Sequence, residues 1–134
     1  MLNLKPGVNP QAMVPQVVLL SQIVSSVYAK HGYDCEITSL HDQDPNRRVD
    51  SLHGRDGLCR AADFKTTHLP ETIRDVMLAE IRDALGYGSP KPRAFDFIFE
   101  PRLTSPDGRI VKEQHFHGEY DPKFALPPSA PKET

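Results

Sequence analysis

The sequence predicts an α+β fold, a small, mostly antiparallel sheet packed with helices. Three observations carry this expectation. Two segments, residues 15–30 and 70–85, repeat apolar residues at helical spacing. Several short segments instead alternate side chains with a period of two, as half-buried strands do. Loops join these segments, and two helices plus several short strands so connected imply segregated helices over an antiparallel sheet.

The first helix is expected over Pro15 to Lys30, where Val17, Leu20, Val24, Val27 and Tyr28 share one stripe. Pro15 suits a first turn, and Gly32 suits the position just beyond the helix. Cys35-Glu36-Ile37-Thr38 then reads as a strand. His41 to Val49 is a polar loop, rich in the turn formers Asp42, Asp44, Pro45 and Asn46. Leu58 to Phe64 is short and mixed, and reads as a strand entering the core.

The second helix is expected over Pro70 to Leu85. Its stripe is Ile73, Val76, Met77, Ile81, Ala84 and Leu85, which points to the core and to nothing else. Glu71 lies in its first turn and Gly86 just past its end. Phe95 to Glu100 is a strand with Phe95, Phe97 and Phe99 on one side. Asp96 and Glu100 lie on the other, where Ile98 interrupts the polar pattern and implies cover on both faces. Pro101 to Asp107 is a loop ending in a turn at Pro106-Asp107-Gly108. Gly108 to Tyr120 alternates again, as one or two strands. There is no internal repeat.

The 134 residues suffice for one domain with its own core, expected over residues 1–126. The end, residues 127–134 (PPSAPKET), reads as a disordered, proline-rich tail. With a net charge of −2 and scattered basic residues, a nucleic-acid footprint is not expected. No apolar run reaches membrane-spanning length, so no membrane partner is expected. Met1 to Pro10 lacks the order of a signal peptide, which predicts a protein that is cytoplasmic as synthesised. The two cysteines, Cys35 and Cys59, are too few for a disulfide framework and read as reduced thiols. The sequence gives no oligomeric state.

Chemistry concentrates in two segments. If the chain from Lys112 to Tyr120 is extended, Glu113, His115, His117 and Glu119 share one face and Phe116, Gly118 and Tyr120 the other. Two histidines flanked by carboxylates are costly in a core and suit a polar cleft or a metal. His115-Phe116-His117 alone is a weak motif. A second segment, Ser51-Leu52-His53 followed by Arg60-Ala61-Ala62-Asp63-Phe64, offers another imidazole and a carboxylate. Two histidines and one carboxylate, with a fourth position left for water, make a hydrolytic zinc centre.

Together these residues resemble the signature of the zinc peptidase superfamily of D-Ala-D-Ala carboxypeptidases and dipeptidases, which includes murein endopeptidases and the hedgehog signalling domain. That signature is S-x-H, then A-x-D, then a late H-x-H, matched here by Ser51, His53, Ala61, Asp63, His115 and His117. The element order is similar to small phage-encoded members. It runs from a leading helix through Ile37-Thr38-Ser39, the S-x-H loop, R-A-A-D-F and a helix opening with Leu69-Pro70, to H-F-H-G-E-Y-D-P. The resemblance covers roughly residues 10–123.

It implies a hedgehog/DD-peptidase-like fold and Zn²⁺ held by His53, Asp63 and His117, with His115 beside the metal. It implies cleavage of peptidoglycan peptides and, with the missing leader, a phage-encoded protein released to the cell wall. Arg47 and Arg48, upstream of the S-x-H loop, would hold a substrate carboxylate, for which a guanidinium fork is suited. Their plainer reading is solvated loop charge. Ser51 either contacts substrate or caps its loop.

Two departures from the family pattern stand out. Three extra residues separate His53 from Asp63, which makes Asp56 and Cys59 rival ligands, ranked below Asp63 by its R-A-A-D-F context. The acidic general base expected three residues before the last histidine is replaced by Gln114, which takes no proton. Glu113, Glu100 or His115 must serve instead, or the protein is a non-catalytic zinc-binding module. Glu119 is placed to orient a ligand histidine. His31, His41 and His68 read as surface positions.

Overall fold

The structure, a computed structural model, describes residues 2–8, 13–40, 60–86 and 95–120. Its elements in chain order are β1 (Leu2–Leu4), α1 (Pro15–Lys30), β2 (Cys35–Ser39), β3 (Ala61–Lys65) and α2 (Glu71–Ala84). Then come β4 (Phe95–Glu100), β5 (Leu103–Thr104), β6 (Ile110–Lys112) and β7 (His115–Tyr120). Five strands form one mixed sheet in the order β1-β2-β3-β7-β4, and β5 with β6 forms a separate hairpin. Only β1 and β2 pair in parallel; the other neighbours in the sheet are antiparallel.

The first helix forms where its stripe predicts. Val17, Leu20, Val24 and Tyr28 are buried, one per turn. It ends in a Schellman arrangement. Gly32, at φ 85°, donates its N–H to the Ala29 carbonyl, and Tyr33 donates to that of Tyr28. The helix lies on one face of the sheet, where Ile37, Ala62, Phe64, Phe97 and Phe116 close the core. Phe116 packs 5.2 Å from Phe97 and edge-on to Tyr28, each such aromatic pair adding about 0.5–1.5 kcal/mol beyond its burial. The Tyr28 hydroxyl donates to the Lys65 carbonyl at 2.7 Å, so its polar end is satisfied inside the core. Gly118 faces this core at the closest approach of α1, where a Cβ would lie 2.8 Å from Phe97 and 2.9 Å from Leu20.

The second helix packs against α1 and β4. Met77, Ile81 and Leu85 of its stripe are buried, and Ile73 packs against the core. Val76 and Ala84 are exposed, because the stripe is wider than the groove it meets. Arg82 donates through Nε to the Phe97 carbonyl at 2.8 Å, blunting the edge of β4. Arg74 lies 4.0 Å over the Phe99 ring.

Three expectations need correction. Ile98 is exposed rather than covered, because helices line only the opposite face of β4. The stretch expected as a loop after Glu100 begins with β5, so residues 103–112 form a hairpin closed by the turn at Pro106-Asp107-Gly108. The extended run expected from Lys112 to Tyr120 breaks at Glu113-Gln114, which lie between β6 and β7.

Residues 41–59, 87–94 and 121–134 lie outside the described residues, and with them the predicted loop at His41 and the predicted tail. Among the described residues no helix is long and apolar enough to cross a membrane. Cys35 is a free, buried thiol, and burial pushes it up to about 12.

Candidate functional site

Register builds the site. Across β3, β7 and β4, three rows of side chains stand side by side on the face turned away from α1. They are Lys65–His115–Glu100, Asp63–His117–Ile98 and Ala61–Glu119–Asp96. The same register sends Phe64, Phe116, Gly118 and Phe97 to the core. Slipping β7 by one residue would exchange the two sets, so the hydrophobic core itself holds the histidines on the site face.

Across these rows, acid and imidazole alternate from Glu119 through His117, Asp63 and His115 to Glu100. His117 places Nδ1 2.7 Å from Asp63 Oδ1 and Nε2 2.8 Å from Glu119 Oε1. His115 places Nε2 2.6 Å from Glu100 Oε1 and 3.8 Å from Asp63 Oδ1. Its Nδ1 donates to the Glu113 carbonyl, which leaves Nε2 as the nitrogen that faces Glu100. Asp63 and His115 are 1% and 4% exposed, so these contacts act with little screening by water. Burial alone would favour neutral His117. The hydrogen bonds and charges of Asp63 and Glu119 outweigh it and raise the ring to about 9.

Two residues that sequence reasoning passed over complete the picture. Lys112 reaches from the end of β6 to place Nζ 3.2 Å from Asp63 Oδ2. Strict alternation from His115 would have sent Lys112 to the core side; the break at Glu113-Gln114 brings it to the site. Arg102 takes Glu113 in a two-pronged pair at 2.7 and 3.1 Å, holding that carboxyl below its usual range. No sequence signal ties residues 102 and 113 together, because the hairpin decides that they meet. Gln114 donates through Nε2 to the Thr66 carbonyl, and the Thr38 hydroxyl donates to the backbone carbonyl of Asp63. A cavity of about 380 Å³ opens over Asp63 and His115 and is lined also by Lys112, Thr38 and Lys65. That is within the size range of small-ligand sites.

The structure thus brings together Asp63, His115, His117 and Glu100, and sets Glu113 at the cavity's rim. His53, Ser51, Arg47 and Arg48 lie outside the described residues, as do Asp56 and Cys59. Among the described residues, no group of three or more His, Cys, Asp or Glu side chains is arranged to hold a metal ion. Asp63 Oδ1 and His117 Nδ1 are hydrogen-bonded to each other, and both are atom types that zinc takes as ligands. Glu119 on the far nitrogen is the carboxylate that commonly fixes a ligand imidazole. In type, these side chains are ones that occur in zinc sites.

His31 and His68 have structural roles. His31 at the end of α1 pairs with Glu80 of α2 at 2.6 Å. His68 approaches the Asp34 carbonyl through Nε2 at 2.9 Å and packs near Tyr28 and Tyr33. Comparison of the chain with protein-family models, with curated proteins and with solved structures finds no match.

Proposed function

We propose that this chain is a zinc-dependent peptidase of the D-Ala-D-Ala carboxypeptidase type, cleaving peptide bonds of peptidoglycan, with a reduced version of the hedgehog/DD-peptidase-like fold. The observation that carries the reading is the pairing of Asp63 with His117 across β3 and β7, at 2.7 Å, beside a second imidazole–carboxylate pair. The order of motifs along the chain supports it independently.

Asp63 and His117, with His53 of the S-x-H loop, would hold the ion. Zinc there would polarise the amide carbonyl and acidify the attacking water. Glu119 fixes the His117 ring and keeps Nδ1 turned toward Asp63. Glu100 and His115 are in hydrogen-bond contact at 2.6 Å, and the pair would take the water's proton and return it to a leaving amine. Glu113, although it lines the cavity, is engaged by Arg102 and is less available for that work. Glu100 through His115 therefore takes the place of the acid that Gln114 does not supply.

The test is to measure zinc in the purified protein and the cleavage of muropeptides with and without a chelator. Stoichiometric zinc and chelator-sensitive cleavage are expected. Absence of zinc overturns the site. Zinc without cleavage leaves the second reading, a non-catalytic zinc-binding module, which the glutamine at position 114 favours.

A further inference from the structure

The cavity over Asp63 and His115 differs from most ligand pockets, which are largely apolar with a few polar groups. This one, of about 380 Å³, is lined by polar and charged residues throughout. Two of its acids spend their charge on partners. Asp63 is engaged by His117 at 2.7 Å and by Lys112 at 3.2 Å. Glu113 takes Arg102 at 2.7 and 3.1 Å and accepts the Gln114 N–H. Two of its lysines have no such commitment. Lys65 follows Asp63 by two positions on β3 and so shares its face, where register sets it opposite His115. Lys5 continues β1, its N–H donated to the Ile37 carbonyl at 2.8 Å. Among the described residues, neither ammonium group is in an ion pair or a side-chain hydrogen bond. Glu36 is the remaining acid of the lining, one carboxylate against two ammonium groups.

We propose that this cavity is a site for a small organic anion, a carboxylate or a phosphate, held by the ammonium groups of Lys65 and Lys5. With the other lining acids engaged, these two lysines and Glu36 leave positive charge facing the cavity. A partly enclosed site screens that charge less than bulk water does, so an oxyanion gains more there than at an open surface. Charge-assisted hydrogen bonds to an oxyanion are also roughly twice as strong as neutral ones. The hydroxyls of Ser39 and Thr67 lie in the same lining and supply neutral donors. Lys65 is the better placed of the two cations. Its carbonyl accepts the Tyr28 hydroxyl at 2.7 Å, which fixes the backbone at the end of β3, and Lys65 is half-buried whereas Lys5 is exposed. Lys112 contributes less, because Asp63 already shares its charge. The site needs no metal and no cleavage of its ligand, so it stands apart from the peptidase reading.

The experiment follows backbone amide shifts of the full chain by NMR as N-acetylalanine, inorganic phosphate or N-acetylalaninamide is added. The first two carry an oxyanion, and the third replaces the carboxylate with a neutral amide. Saturable shifts at Thr38, Lys65 and Thr67 are expected with an oxyanion, and none with the amide. Saturation by N-acetylalanine assigns the site to carboxylates, and saturation by phosphate alone assigns it to phosphates. Lys65→Met is expected to weaken binding roughly tenfold, the weight of one hydrogen bond to a charged group. Lys65→Arg is expected to keep binding within a few-fold, and Glu36→Gln to tighten it by removing the competing acid. Lys30→Met, on α1 at the opposite face of the sheet, is the control and is expected to bind as the wild type does. The site is overturned by the lack of a saturable shift with either oxyanion, by equal binding of the amide, or by unchanged binding in Lys65→Met.

Discussion

Asp63 and His117 stand directly opposite each other on β3 and β7, and their facing atoms are 2.7 Å apart. The pair is the hinge between fold and chemistry. The register that buries Phe64 and Phe116 on one face is the register that joins this carboxylate and imidazole on the other. Asp63→Asn and His117→Ala are each expected to lower zinc in the purified protein from about one equivalent to background. Elemental analysis checks this. Asp63→Ala should also cost about 3 kcal/mol in urea unfolding of the metal-free chain, because it strips Lys112 and His117 of a buried partner. Retained zinc with unchanged stability would remove Asp63 from the site.

Glu119 holds the far nitrogen of His117. Glu119→Gln is expected to weaken zinc binding by roughly 10- to 100-fold while leaving the fold intact, as loss of such orienting carboxylates does elsewhere. A competition titration against a chromophoric chelator measures it, with circular dichroism as the control for folding.

The two candidate glutamates should behave differently. Glu100 sits on His115, whereas Glu113 is committed to Arg102. Glu100→Gln is expected to lower kcat on muropeptides by roughly 10²- to 10⁴-fold, the usual weight of a general acid–base group. Glu113→Gln should leave kcat within a few-fold and stability nearly unchanged, since its ion pair is exposed. The reverse ranking would return the role to Glu113.

Gly118 lies against Leu20 of α1 and Phe97 in the core, with no room for a Cβ. Gly118→Ala pushes a methyl group against the Phe97 ring and the Leu20 side chain. An expected loss of about 1–3 kcal/mol, read from the urea midpoint, follows from overpacking. No change would mean that α1 lies farther from β7.

The α1–α2 contact carries its own pH dependence. Hydrogen bonds from Lys30 and His31 hold the Glu80 carboxyl below its usual range. A carboxyl lowered in the folded state contributes its stability in full above its unfolded pKa, near 4.5, and loses it as pH falls through the folded value. Melting temperature should therefore drop more steeply on acidification below that point in the wild type than in Glu80→Gln. Parallel curves for the two proteins would show that the pair contributes nothing.

Much of the scaffold was legible in the chain because its signals are local. Helix α1 follows from five apolar residues at helical spacing and a glycine after its last turn. Strand β7 follows from alternation, which also places His115, His117 and Glu119 on one face. Strand β1 was not legible, since three residues carry no period and their parallel pairing to β2 needs α1 in between. The exposure of Val76 and Ile98 was hidden for a related reason. A stripe shows which side of an element can be buried, and only its neighbours decide how much of it is.

The sequence by itself determined both helices, the longer strands, the polar face of the histidine strand and which residues have the chemistry to bind a metal or move a proton. Tertiary structure decided which of them meet. It set Asp63 against His117 and Glu100 against His115 through cross-strand register, which depends on the whole core being buried at once. It turned Lys112 to Asp63 through a two-residue break in the strand, and it drew Glu113 away to Arg102 through the hairpin. These are contacts across 11 to 54 positions of chain, where no local pattern reports distance.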